Sequence, residues 1–232
     1  MSIFTASKPM RKPSSPTRFA GLSLDRARLR EGTMVKDKFE TTLRDGARVL
    51  IRPVLPEDRH LLEIGFEHVS QTSRYFRFLA PKSRLSDRDL DLFTTSHGDD
   101  HVAMGALEID AEPAQPVGIA RYVRLSDRRD AAEIAVTVVD DYQGLGLGCI
   151  LIGALARHAA SDGITHFVAL VHEDNRKMLH LFKELDAQVE SDAGGEVELR
   201  IPLHRDPAAY PNTKTGDAFR DVYRLAAGDF GK

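Results

Sequence analysis

The chain of 232 residues has a single cysteine, Cys149. It has no apolar run near the roughly 18–20 residues that a membrane-spanning helix needs. One cysteine excludes an internal disulfide and suits a reducing compartment. Cys149 follows a glycine-rich stretch at an expected helix start, where a thiol pKa can fall; a small packed residue is the plainer reading. An excess of one charge is also missing. The formal net charge is −3, which argues against polyanion binding by the whole molecule.

The first 36 residues lack the apolar segment of a secretory signal. They are basic instead, with Lys8, Arg11, Lys12, Arg18, Arg26, Arg28, Arg30 and Lys36 against Asp25 and Glu31. Pro9, Pro13 and Pro16 oppose the amphipathic helix of a transit peptide. This stretch reads as an unstructured tail of a cytoplasmic protein, with nucleic acid or an acidic partner as at most a weak contact. No membrane association is expected.

What is present suffices for one core plus tails, since 42% of the residues are hydrophobic. The most informative stretch is Val136–Gly148. There a strand-like run enters the turn Gln143, Gly144, Leu145, Gly146, Leu147, Gly148, and an apolar helical run follows. Such a turn aims backbone N–H groups and the positive end of a helix dipole at one place, which suits phosphate. A P-loop needs Lys-Ser/Thr after the last glycine, but Cys149 and Ile150 stand there. A dinucleotide fingerprint from Gly144 needs glycine where Cys149 is. Gln143-x-x-Gly146-x-Gly148 remains, as a phosphate loop or as a glycine turn without a ligand.

Strand-like runs are expected at Phe39–Leu43 and Arg48–Pro53 around an Arg44-Asp-Gly turn. Pro56 opens a helix carrying Leu61, Leu62, Ile64, Phe66 and Val69. Helical pieces follow near Ser70–Leu79 and after Ser86. Strands at His101–Ile109, Val117–Leu125 and Ala131–Val139 precede the loop and its helix. Ile164–Val171 is strand, Asp174 or Asn175 starts a helix, and Ala187–Ser191 with Glu196–Leu203 forms a closing hairpin. The organisation expected is a tail over 1–36, a mixed α/β (α+β) domain over 37–204 and an extension over 205–232. In that extension Asp217–Ala227 suits a short helix packed on its own domain, with a homodimer contact as the alternative.

The loop resembles the acyl-CoA pyrophosphate loop of the GNAT (GCN5-related) N-acetyltransferases, patterned Arg/Gln-x-x-Gly-x-Gly/Ala. The element order matches as well. Arg44-Asp-Gly, Ile51-Arg-Pro, Ser70-Gln-Thr-Ser-Arg-Tyr-Phe-Arg-Phe, Ala132-Glu-Ile-Ala-Val and Tyr142-Gln-Gly-Leu-Gly-Leu-Gly are further similar to the GNAT domain of bacterial Pat-type protein lysine acetyltransferases. The resemblance covers about Asp45 to Leu203. It implies a central, mostly antiparallel twisted sheet with two splayed strands, flanked by helices. It also implies acetyl-CoA as co-substrate and a protein lysine as acceptor.

Gln143–Gly148 would then hold pyrophosphate through backbone amides, and the strand edge Ala135–Val139, Val138 and Val139 above all, would meet the pantetheine. A free amide near Val138 would polarise the thioester carbonyl. Asn175 sits where the family places an asparagine near the thioester. Seven residues on, Phe182 replaces a tyrosine acid; a CoA thiol leaves well as thiolate without one. Glu133 matches the family's general base, and the competing reading pairs it with Arg121 or Arg124. Ser73, Arg74, Tyr75 and Arg77 fall where an acceptor wall is built. His172 is a weaker base candidate. His97 and His101, around Asp99 and Asp100, suit a solvated loop better than a metal site. The alternatives to protein lysine acetylation are acylation of a small amine and a non-catalytic acyl-CoA-binding module.

Overall fold

The computed structural model of the protein describes residues 38–95 and 98–227. The expected basic tail over 1–36 and His97 lie outside the described residues. Strands β1 (Phe39–Thr42) and β2 (Arg48–Pro53) form a hairpin, closed by Leu43 N–H to Ala47 O at 2.9 Å and Gly46 N–H to Leu43 O at 3.0 Å. Helices α1 (Arg59–Glu67), α2 (Gln71–Phe78) and α3 (Asp87–Thr94) follow. Ser70 caps α2, and Ser86 caps α3 in a reciprocal box with Asp89. Then come β3 (His101–Glu108), β4 (Gln115–Arg124), β5 (Ala131–Val138), α4 (Leu147–Ser161), β6 (His166–His172), α5 (Arg176–Lys183), β7 (Gln188–Ala193), β8 (Glu196–Pro202) and α6 (Lys214–Ala226).

The eight strands form one sheet in the order β1-β2-β3-β4-β5-β6-β8-β7. Every neighbouring pair is antiparallel except β5 with β6. That parallel ladder runs only through Ala131↔His166, Ala132↔Phe167 and Glu133↔Val168. Beyond Glu133, β5 continues along β4 to Val138 while leaving β6. This is the splay that the resemblance implied.

Side chains alternate across the sheet. A Cβ at Gly118 would point at Leu147 and Leu151 of α4, whereas Ile119 lines an apolar pocket with Leu61, Leu62 and Phe66 of α1. Helix α4 therefore covers one face, and α1 the other. Leu147, Leu151, Ile152, Leu155, Ala156 and Ala159 of α4 are fully buried, because α6 covers its outer side. A Cβ at Gly153 would stand 3.4 Å from Val222 of α6. Phe219, Val222 and Tyr223 put the apolar face of α6 into the same core. Tyr223 Oη donates to His204 O at 2.9 Å and lies 3.0 Å from Tyr210 Oη. The described part of the C-terminal extension, 205–227, is thus built into the fold, and this apolar face is used within the chain. The helix starts at Lys214 rather than Asp217, because Thr213 accepts from Gly216 N–H and caps it.

One charged pair is sealed under the first helix. Arg52 Nη1 and Nη2 donate to Asp58 at 2.6 and 2.8 Å, and Leu55 N–H donates to the same carboxylate at 2.8 Å. Among the described residues no helix is long and apolar enough to cross a membrane. Replacing Asp58 with alanine strands a buried guanidinium. It is expected to cost about 3–5 kcal/mol of unfolding free energy, read from the midpoint of a denaturant titration; a loss below about 1 kcal/mol would contradict the pairing.

Candidate active site

The site grows from the end of β5. A single turn, Asp140–Tyr142, carries the chain from Val139 into the glycine loop. Gly144 and Gly146 adopt φ of 76° and 97°, a left-handed region that disfavours any residue with a Cβ. Gly146 is the N-cap of α4, and the first helical bond is Ile150 N–H to Gly146 O at 3.1 Å. The amides of Gly146, Leu147, Gly148 and Cys149 consequently have no acceptor within the helix. They face the same way as the positive end of the α4 dipole.

The strand edge beside the loop is equally open. Val139 N–H donates to Val117 O of β4 at 3.0 Å. By the alternation of an antiparallel ladder, the N–H and C=O of Val138 face the other way, into the splay that β6 has left. Val138 O accepts from Gln143 Nε2 at 3.2 Å, and that nitrogen also donates to Ser73 Oγ at 3.0 Å. The Gln143 side chain therefore braces the loop against the strand and α2, which leaves the backbone amides for a ligand.

Asp140 fastens α2 to this corner. It accepts from Ser70 N–H at 2.8 Å, Ser70 Oγ at 2.8 Å and Ser73 Oγ at 2.9 Å. Burial by itself would raise the Asp140 carboxyl, but these hydrogen bonds outweigh it and hold the pKa below its ordinary value. Arg74 is structural: it donates to Val69 O and Phe66 O at 2.9 Å and to Ser83 O at 3.0 Å, and it stacks on Phe66.

These elements enclose a cleft of about 970 Å³. Of the residues expected from sequence to meet the donor, Val138, Gln143, Gly144, Leu145, Gly146, Gly148 and Asn175 line it. Val139 and Leu147 do not. The Val139 amide is spent on β4, and its side chain turns into the pocket under α1. Leu147 drives its side chain into the core over Gly118 and offers the cleft only its amide. Asn175 Oδ1 caps α5 by accepting from Met178 N–H at 3.3 Å. Phe182 is in the core, so no side-chain acid stands there.

Two contributors escaped the sequence reading. Arg44, in the β1–β2 turn, donates through its amide to Leu145 O at 3.2 Å and through Nη1 to Gly144 O at 3.4 Å. Its guanidinium thus lies across the glycine loop. Lys214, Thr215, Ala218 and Val222 of α6 form a wall of the same cleft. The resemblance included Arg44-Asp-Gly as a motif, but no spacing signal links it to a loop 100 residues away.

Glu133 stands where β5 and β6 part, exposed, and forms no hydrogen bond or ion pair among the described residues. The competing pairing is not formed. Arg124 pairs with Asp100 at 2.8 Å, and among the described residues Arg121 has no carboxylate within ion-pair distance. Two guanidinium groups nevertheless act on Glu133 through space, those of Arg77 and Arg121. His172 packs its ring 5.5 Å from both Tyr75 and Phe76, and its Nδ1 accepts from Asp174 N–H at 3.2 Å. Cys149 is buried, and burial pushes its thiol up to about 12. The helix start does not activate it. Among the described residues no cluster could hold a metal ion.

The acetyltransferase (GNAT) family profile matches residues 66–186. "Acetyltransferase PA5475" of Pseudomonas aeruginosa is 34% identical over 145 residues, which cover 62% of this chain and 77% of that protein. "Acetyltransferase Pat" of Mycolicibacterium smegmatis is also 34% identical over 145 residues, 62% of this chain but 43% of the relative's length. The crystal structure of the GNAT domain of S. lividans PAT superposes with a TM-score of 0.65 at 31% identity, covering 72% of this chain and 97% of that one.

A Gly146→Ala variant must force φ of 97° on an L-residue. The strain, about 1–2 kcal/mol, is expected to weaken acetyl-CoA binding about 5- to 30-fold in a calorimetric titration; unchanged affinity would contradict the loop's role. Cys149 in the native protein at pH 8 is expected to react with iodoacetamide slower than in denaturant by roughly two orders of magnitude or more. Comparable rates would show that the thiol is not buried.

Proposed function

The chain belongs to the GNAT acetyltransferase family, and from that premise we propose that it moves the acetyl group of acetyl-CoA onto the side-chain amine of protein lysines, by direct attack with Glu133 as general base. Acetyl-CoA is the family's co-substrate. When bound, it supplies a thioester that is activated towards amines. The residues present fit it: the loop amides and Arg44 suit pyrophosphate, and the unspent Val138 amide suits a carbonyl oxygen.

The observation that carries the reading is the position of Glu133. It lies at the fork that also releases the Val138 amide, so a carboxylate and an oxyanion donor flank one opening. A lysine ammonium, with a pKa of about 10.4, must lose a proton before it attacks. Glu133 accepts that proton directly or through a water. Arg77 and Arg121 assist, because nearby positive charge disfavours the protonated amine. The departing thiolate needs no acid from the chain, in keeping with Phe182.

A protein acceptor is supported by the similarity to Pat proteins and by the surface around the fork. Tyr75 and Leu170, 40% and 47% exposed, offer apolar contact on the side of Glu133. The same two arginines oppose a polycationic small amine. We place the catalytic unit at residues 37–204, with the cytoplasm as its compartment; the C-terminal extension adds a wall to the donor cleft.

Incubation of the pure protein with acetyl-CoA and a deacetylated lysate is expected to give discrete acetyl-lysine bands. Glu133→Gln should lower kcat by about 10²- to 10⁴-fold while acetyl-CoA affinity stays unchanged. Thiol release on small amines without protein bands would favour the small-molecule reading. Acetyl-CoA binding with neither signal would favour a sensor.

A further inference from the structure

Arg77 lines the cleft from α2, next to Thr72, Ser73 and Phe76 and across from Val136–Val138. It forms no hydrogen bond or ion pair among the described residues. Its guanidinium is held instead by aromatic faces, 4.9 Å from the Phe78 ring centre and 5.8 Å from that of Phe93. Behind it, Arg121 of β4 lies 5.3 Å from the same Phe93 ring. Arg121 Nε and Nη1 are shut off from water without a hydrogen-bond partner.

Burial, and then the proximity of Arg121, lowers the Arg77 pKa to about 10, and burial lowers that of Arg121. Both remain cations at neutral pH. The acids that face them are Glu133 and Asp89. Asp89 is already engaged, by Lys82 Nζ at 2.7 Å and by the amide and hydroxyl of Ser86 at 2.7 and 2.5 Å. Three cations (Arg77, Arg121 and Lys82) thus stand against two carboxylates, leaving one positive charge in surplus. When Glu133 takes up a proton the surplus becomes two. Largely dehydrated guanidinium groups with unused donors are costly, and a carboxylate matches their planar fork.

We propose that Arg77, backed by Arg121, is a carboxylate-binding site at the acyl end of the cleft, beside Glu133. Two sources present that chemistry. One is an acidic residue next to the acceptor lysine; the other is the terminal carboxylate of a dicarboxylic acyl group on CoA. The inference rests on the acyl-transfer reading above. With either source Glu133 relays the ammonium proton to solvent before attack; the neutral amine then forms the C–N bond as the C–S bond breaks, its second proton passes to Glu133 and CoA leaves as thiolate.

The test has two arms. One compares lysine peptides that differ only by glutamate or glutamine beside the lysine, with acetyl-CoA as donor. The other compares succinyl-CoA with butyryl-CoA, chains of equal length with a charged and a neutral end. The wild-type protein is expected to prefer the carboxylate in one arm by about tenfold or more in kcat/KM, as a charged hydrogen bond implies. The preference should fall on KM. Arg77→Gln should abolish it and Arg77→Lys should restore part of it. Acetyl-CoA titration and thermal melting confirm that the variants are folded; if Arg77→Gln does not fold, Arg77→Lys alone must reduce the preference. Equal rates in both arms, or a preference indifferent to Arg77, overturn the proposal. Should no acceptor be acetylated while acetyl-CoA binds, the lysine reading falls. The donor arm is then decided by affinity: tighter succinyl-CoA sustains the carboxylate site, and equal affinities overturn it.

Discussion

The parting of β5 from β6 after three paired residues is the constraint on which the rest depends. Had the parallel ladder continued, the Val138 amide and carbonyl would be spent on β6 and Glu133 would be covered. Because the ladder stops, one strand edge is open over the length of a narrow cleft, with a carboxylate at its start and a helix N-terminus at its end. Antiparallel pairing with β4 keeps the freed part of β5 rigid, so the opening needs no ligand to hold it. Gln143 and Asp140 then fix the corner, the first by bracing the loop on Val138 O and the second by pinning α2.

Electrostatics divide the cleft into two ends. At the loop, backbone amides, the helix dipole and Arg44 gather positive potential without burying an unpaired charge, which suits a phosphate that stays partly hydrated. At the fork, two guanidinium groups are packed among Phe78 and Phe93 close to Glu133. The first end is a general device for holding a phosphorylated donor. The second is assembled from α2, α3 and β4, with Arg77 on α2, Phe93 on α3 and Arg121 on β4.

The order of elements was legible because each carries its own local signal. Helical spacing marked α1, a serine cap marked α3, and the glycine loop announced α4. The parity of Val138 and Val139 was not legible. Adjacent residues of one strand point their amides to opposite sides, and only the bond from Val139 to Val117 fixes which side is which. Leu147 was expected to act through its amide, and it keeps that amide at the helix start while its side chain enters the core. Lys214 and Arg44 reach the cleft through packing between segments far apart in sequence. The resemblance put Arg77 at an acceptor wall and Arg121 was a possible partner of Glu133, but no sequence signal showed that both pack against Phe93. Local order is written in short-range pattern; the site is completed by tertiary contacts.

The central claim is that one ligand spans the cleft from the glycine loop to the fork. Hydrogen exchange with and without acetyl-CoA tests it most directly. The account predicts slowed exchange at Val138 and at the amides of Gly144–Cys149, with unchanged exchange along β7, which has no residue in the cleft wall. Protection confined to other segments, or a Val138 amide that exchanges equally fast in both states, would contradict it.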